Sequence, residues 1–218
     1  HRANLAEAMG GPDKVARQHE FNKMTIRERI GHIADPDSFH ELGKLAGVGE
    51  YDEEGNLTHL TPSNFVFGTA DIDDRPVILS GDDFTVRGGS ADASIAGKRV
   101  QAEGLAAELR LPHIRLVDGM GGGGSVKTIE TAGRTYIPEL RGWETIVSHL
   151  SIAPSVSLAL GSVAGIGAAR VATSLFGHCK KQCADDDRWT GASGLGKFGR
   201  CQQGRIGFLQ NSYPQRCH

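Results

Sequence analysis

Three stretches of this chain carry residue types and spacings that could do chemistry. The first is Val117-Asp118-Gly119-Met120-Gly121-Gly122-Gly123-Gly124-Ser125, an apolar strand that runs into a turn with almost no side chains. Such a turn can bring backbone N–H groups against a ligand oxygen. Two chemistries use that arrangement: cradling a phosphate and stabilising an oxyanion. The run lacks the Gly-Lys-Ser/Thr ending of a nucleotide P-loop, and any run of glycines satisfies Gly-x-Gly-x-x-Gly trivially. A plain surface loop is the alternative. The second stretch, Gly161-Ser162-Val163-Ala164-Gly165-Ile166-Gly167-Ala168-Ala169, again follows a buried strand and leads into a helix. Tight helix–strand packing would use the same small residues. Two such turns after successive strands point to a paired oxyanion hole more than either does alone.

The third stretch is Asp82-Asp83-Phe84-Thr85-Val86-Arg87-Gly88-Gly89-Ser90. Its carboxylates could form a metal or acid/base pair. Neighbours on a strand point to opposite faces, however, so a solvated turn is the better reading. No Ser/His/Asp grouping stands out. His113 follows Pro112 inside an apolar strand and reads as structural. Few side-chain catalysts and two glycine turns together suggest chemistry carried by backbone amides and a borrowed cofactor.

The elements that must position these turns alternate in period. Residues 3–30 read as helical, Asp35–Ser38 as a turn, and Phe39–Gly49 as a short element ending in glycines. Asn64–Ile72 and Pro76–Ser80 read as strands joined by a hairpin turn at Asp73-Asp74-Arg75-Pro76. Ser90 is placed to cap a helix running through Lys98, Gln101, Leu105 and Leu109. Leu111–Asp118 reads as a buried strand, Trp143–Leu150 as an amphipathic segment, and Ser155–Gly165 as a strand leading to a helix. The fold class is therefore α/β, strand-strand-helix repeated, with glycine-rich turns after strands.

Composition narrows the function classes. The chain has 218 residues, 30 of them Gly, with 39% hydrophobic residues and a formal net charge of −2. That length suits one domain with an appendage. The charge supplies no global basic field for nucleic acid or an anionic membrane. No apolar run reaches the roughly 20 residues of a membrane span; the nearest, 152–169, is broken by Pro154 and by glycines. No signal peptide is visible. The chain begins with His1, so a fragment or a processed product is expected. All four cysteines (Cys179, Cys183, Cys201, Cys217) lie in the last 40 residues. Cys179 and Cys183 with His178 invite a zinc reading, but the later spacing fits no zinc pattern, and free thiols in an unusual tail fit better.

Thr25-Ile-Arg-Glu-Arg-Ile and Asp37-Ser-Phe-His-Glu-Leu-Gly-Lys-Leu-Ala-Gly resemble the opening of the carboxyltransferase (beta) subunits of biotin-dependent acyl-CoA carboxylases. Asp82–Ser90 resembles their DFTVxGGS segment, Leu116-Val117-Asp118 with the glycine turn their LVDSGGA, and Gly161–Ala169 their GPCAGGA, all in family order. The resemblance implies a crotonase-like fold of repeated ββα units. It implies transfer of a carboxyl group from carboxybiotin to the α-carbon of an acyl-CoA. Biotin would sit on a separate carrier and take the α-proton, so no protein base or metal is required. Gly121, Gly122, Gly165 and Ile166 would be the backbone oxyanion donors. Gly88, Gly89 and Ser90 would shape the CoA-binding side. The partners implied are the acyl-CoA, a biotin carboxylase or carrier subunit, and further copies in a homo-oligomer whose active site lies between protomers. Two departures stand out: Gly119-Met120 replaces the family's Ser-Gly or Ser-Ala, and Ile166 replaces a glycine while keeping its amide.

The resemblance covers residues 1–176 as an N-terminal carboxyltransferase domain. Residues 177–218 change character, holding every Cys and the run Asp185-Asp186-Asp187. Read one nucleotide later, the codons for residues 176–190 permit Ser-Val-Ile-Val-Lys-Asn-Ser-Ala-Gln-Met-Met-Thr-Gly-Gly-Pro, which resembles the family's continuation. A one-nucleotide frameshift near Phe176 is therefore expected, with a tail that was never selected to fold and cysteines without function. The chain alone is expected to lack carboxyltransferase activity and to bind CoA weakly. Two rivals remain: another crotonase-like acyl-CoA enzyme, a hydratase or decarboxylase, and a non-catalytic assembly partner. A hydratase usually needs a carboxylate near the second glycine turn, and Gly165–Ala169 has none. The expected compartment is the cytoplasm or the mitochondrial matrix.

Overall fold

The computed structural model describes residues 1–90, 95–121, 142–161 and 163–179, together with Glu130 and Gly133. Residues 2–33 form three helices where the sequence suggests one continuous stretch. The break after α1 (Arg2–Glu7) falls at Met9 and Gly11, both at positive φ. Helix α2 (Pro12–Glu20) starts on a proline, whose missing N–H and fixed φ suit a first helical position. Helix α3 (Ile26–Ile33) opens on a capping box: the Thr25 hydroxyl accepts from the Glu28 N–H, and the Glu28 carboxylate accepts from the Thr25 N–H at 2.6 Å. This cap fixes how α3 meets the sheet.

The short element expected over Phe39–Gly49 resolves into two strands. One is β1 (His40–Leu42); the other, β2 (Gly47–Tyr51), pairs antiparallel with β3 (Leu57–Pro62). The next hairpin follows the sequence closely. Strands β4 (Phe65–Ile72) and β5 (Arg75–Asp82) pair antiparallel through Asp73 and Asp74, both left-handed (φ 51° and 58°) as a type I′ turn requires. A 3₁₀ turn, Arg87–Gly89, leads towards α4 (Ala96–Leu109). Ser90 does not cap that helix: the N-cap position is Ile95, and the Ser90 carbonyl accepts from Asn64 Nδ2 at 2.7 Å.

From β4 onward the chain repeats one unit. After β4–β5–α4 come β6 (His113–Val117), β7 (Met120–Gly121) and α5 (Trp143–His149). Then come β8 (Ser155–Ala159), β9 (Ala164–Gly165) and α6 (Ile166–Ala172). These are the repeated ββα units of the crotonase-like reading. The larger sheet has the order β1-β4-β5-β6-β8-β10, parallel from β5 onward, with β10 (Phe176–Cys179) at its edge. That last strand lies across the domain limit expected at residue 176. The remainder of the expected tail lies outside the described residues.

Both faces of the sheet are buried, so its strands alternate two cores. Val66, Ala70, Val77, Leu79 and Leu116 pack with Ile26 and Ile30 of α3 on one face. Phe65 and Phe67 pack with Ala102 of α4 on the other. Each fully buried aliphatic side chain contributes about 1.5–3 kcal/mol. Together they make the sheet a rigid base from which the glycine turns project at the C-terminal ends of β5, β6 and β8. No helix among the described residues is long and apolar enough to cross a membrane.

Candidate functional site

The three glycine-bearing stretches converge at those strand ends. Leaving β6, the chain passes Asp118 and Gly119 into β7. Leaving β8, it passes Gly161 into β9 and then α6. Strands β7 and β9 pair parallel, Met120 opposite Ala164 and Gly121 opposite Gly165. Of the four expected donors, Gly121, Gly165 and Ile166 thus share one short ribbon and the residue after it. Gly122 lies outside the described residues. Gly165 has φ 55° and ψ −126°, a backbone conformation that glycine alone adopts readily.

The Gly88-Gly89 turn abuts the first of these turns. A Cβ at Gly89 would sit 2.7 Å from the Asp118 carbonyl oxygen, and one at Gly119 would sit 3.0 Å from the Gly89 Cα. Both positions must be glycine because backbone meets backbone there. Ser90 follows at once, anchored by the fully buried Asn64. The expected CoA-side residues and the expected donors are therefore neighbours.

Asp82 and Asp83 diverge, as adjacent strand residues should. The solvated turn expected for them is not found. Asp82 pairs with Arg99 at 2.8 Å and accepts from the Asp118 N–H at 3.3 Å. Asp83 is 2% exposed and accepts from the Thr85 N–H and hydroxyl. Burial pushes its carboxyl up, against those two bonds. The loop has turned inward because its own donors satisfy the carboxylate.

Sequence reasoning missed a second set of residues. Ser80 Oγ lies 2.8 Å from His113 Nε2, and His113 Nδ1 lies 3.1 Å from Glu103 Oε2. The Glu103 carboxylate also takes two bonds from Arg115, at 2.7 and 3.1 Å. This has the order of a Ser-His-carboxylate triad, yet all of its members are 3% exposed or less, so no substrate reaches the serine. Burial holds the His113 imidazole below its usual range. Burial would raise Glu103, but the bonds from His113 and Arg115 outweigh it and hold the carboxyl at about 2. An ionised Glu103 only accepts, so His113 donates from Nδ1 and accepts the Ser80 hydroxyl at Nε2. The network is structural. Arg115 reaches on to the Thr173 carbonyl and the Ser174 hydroxyl, tying the end of α6 to β6. One signal was present in the sequence: His113 and Arg115, two apart in an apolar strand, share a face and call for a buried acid.

A cleft of about 710 Å³ opens between α1, α2, β3 and the Phe84–Gly88 loop. Lys14, Arg17, His59 and Arg87 line it, and Lys23 stacks over Phe84 at 5.4 Å. The lining includes Gly88 but neither Gly121 nor Gly165. Among the described residues no group of three or more His, Cys, Asp or Glu could hold a metal. Of the zinc candidates, His178 and Cys179 lie in β10. Cys183, Cys201 and Cys217 fall outside the described residues.

Comparison with known proteins follows the same contour. Residues 17–182 match the model of the carboxyl transferase domain. The mitochondrial methylcrotonoyl-CoA carboxylase beta chain of Arabidopsis thaliana is 34% identical over 168 residues, 74% of this chain and 27% of that one. The putative propionyl-CoA carboxylase beta chain of Bacillus subtilis is 32% identical over 160 residues, 73% of this chain and 30% of that one. Among solved structures, the transcarboxylase 12S subunit with hydrolysed methylmalonyl-coenzyme A superposes with a TM-score of 0.63 at 26% identity. The match covers 83% of this chain and 34% of that one. The chain therefore spans about a third or less of the length of these relatives.

Proposed function

Since the chain belongs to the carboxyl transferase domain family, we propose that it supplies the acyl-CoA half of the carboxyltransferase of a biotin-dependent acyl-CoA carboxylase. The observation that carries this reading is the pairing of Gly121 with Gly165, which sets two glycine-bearing turns face to face. In the proposed reaction the acyl-CoA loses an α-proton and its thioester oxygen gains negative charge. Amides of Gly121 and Gly122 on one turn, and of Gly165 and Ile166 on the other, are the donors to that oxygen. A single preorganised donor of this kind is worth about 10²–10³ in rate. Gly88, Gly89 and Ser90 form the CoA side. The cleft beyond Gly88, with Lys14 and Arg17 on its wall, takes the phosphate-bearing end of the CoA.

The carboxylates nearest the turns are not free bases. Asp118 is paired with Arg29 and Asp82 with Arg99. When bound, carboxybiotin supplies the carboxyl group. One pair of facing glycine turns is present among the described residues, and the acyl-CoA uses it here. The biotin carrier, a biotin carboxylase subunit and further copies of the chain are the partners in this proposal. The cysteine-free body suits a reducing compartment, cytoplasm or mitochondrial matrix.

The domain division is part of the proposal: a carboxyltransferase N-domain over 1–176 and a frameshifted tail over 177–218. By itself the chain binds acyl-CoA weakly and turns none over. Equilibrium dialysis with labelled acetyl-CoA, chased with unlabelled CoA, tests the reading. Saturable binding displaced by CoA is expected, and no displaceable binding at any accessible concentration overturns it.

A further inference from the structure

Glycine turns have no side chains with which to hold themselves, and glycine has more backbone freedom to lose than any other residue. Something else must fix their spacing. One residue, through its side chain and its backbone together, touches all three turns. Asp118 is fully buried, and its Oδ2 lies 2.6 Å from Nη2 of the equally buried Arg29 on α3. Its N–H is held by Asp82 at the end of β5. Its carbonyl backs onto Gly89 of the 3₁₀ turn. Its Oδ1 lies against the Gly161 backbone, where an added methyl group would overlap it. Arg29 is itself aimed by the capping box at Thr25 and Glu28.

We infer that Asp118, clamped by Arg29, is a positioning residue that sets the distance between the paired glycine turns and the Gly88-Gly89 turn. Four separate segments (α3, the end of β5, the 3₁₀ turn and the end of β8) meet on this one residue. A carboxylate suits the task because its charge pairs with the buried Arg29 while its other oxygen fills the space where a side chain at Gly161 would stand. A neutral side chain of the same shape would leave Arg29 buried without its partner, and the turns would relax. The inference rests on the reading of these turns as the thioester site.

The test uses the full chain and two ligands, acetyl-CoA and its thioether analogue S-ethyl-CoA, which lacks the carbonyl oxygen. Titration calorimetry on the unaltered chain gives the thioester preference. Asp118→Asn is expected to reduce that preference roughly tenfold, the weight of one hydrogen bond, while S-ethyl-CoA affinity stays within about twofold. Arg29→Lys, which keeps the charge, retains most of the preference. If Asp118→Asn does not fold, Gly161→Ala, whose Cβ would overlap the same carboxylate while both charged residues are kept, is expected to lose the preference equally. A preference unchanged in the folded variants overturns the positioning role alone. No preference in the unaltered chain overturns both the role and the functional reading. Equal losses for both ligands assign Asp118 to general stability and likewise overturn it.

Discussion

Gly121 stands opposite Gly165 in a parallel ribbon of two residue pairs, joining turns that leave different strands of the main sheet. The pairing matters because the ribbon carries no side chain at its end. What it presents to a ligand is backbone. A substitution there should therefore act through backbone conformation, and one beside it that keeps the amide should be silent.

Gly165→Ala and Ile166→Ala make that contrast. The first forces a Cβ onto a residue at φ 55° and ψ −126°, which should destabilise the chain by about 1–3 kcal/mol and abolish thioester preference. The second removes a partly exposed side chain and leaves the N–H in place. Urea unfolding and acyl-CoA titration of both should show loss for the first and near-native binding for the second.

The Ser80–His113–Glu103 network makes stability depend on pH. Burial depresses His113, and also His149, so both are neutral in the fold while the unfolded chain takes up protons near pH 6.5. The unfolded state then binds more protons, and stability rises with pH through that region. The urea midpoint should hold from about pH 8 to 7 and fall as pH drops below about 6.5, the unperturbed histidine value. Glu103, held at about 2 against 4.5, adds a second loss as pH falls between those values. His113→Gln should flatten the first decline.

Breaking the Glu103–Arg115 pair should be costly. Glu103→Gln leaves a buried guanidinium uncompensated, and about 3–5 kcal/mol of stability is expected to go with it. Glu103→Gln combined with Arg115→Met should recover much of that loss, because the pair is removed together. A double-mutant cycle by denaturant unfolding gives the coupling directly.

Much of this architecture was legible. The Asp73-Asp74 turn announced the β4–β5 hairpin, and the strand-then-glycine pattern at Val117 and at Gly161 announced two turns, because each signal is contiguous in the chain. The helical stretch over 3–30 is broken into three helices: Met9 and Gly11 adopt positive φ that local propensity does not reveal. Ser90 has the chemistry of a helix cap, but the helix begins further along the chain, with Ile95 at its N-cap. The Arg29–Asp118 contact, and the identity of the partners that His113 and Arg115 call for, were illegible for a different reason. Their members come from α3, β5, α4, β6 and the turn after β6, and only the sheet order brings them together.

Charge on the cleft should govern CoA affinity. Lys14→Glu with Arg17→Glu should weaken CoA binding, and the remaining binding should depend less on salt than in the unaltered chain. Dephospho-CoA should be less sensitive than CoA to the same pair of changes.

The nucleotide sequence across the Phe176 codon, in genome and transcript, checks the proposed tail. A slip of one nucleotide is expected. An intact frame in both would mean that residues 177–218 are the natural continuation.

In the proposed function the paired turns bind a thioester oxygen. Isotope-edited infrared spectroscopy of acetyl-CoA labelled with carbon-13 at the thioester carbonyl reads that contact directly. On saturating the chain, the labelled carbonyl stretch should move to lower wavenumber as the amides polarise it, and Gly165→Ala should remove the shift. Bound acetyl-CoA with its carbonyl at the frequency of free solution would contradict the account.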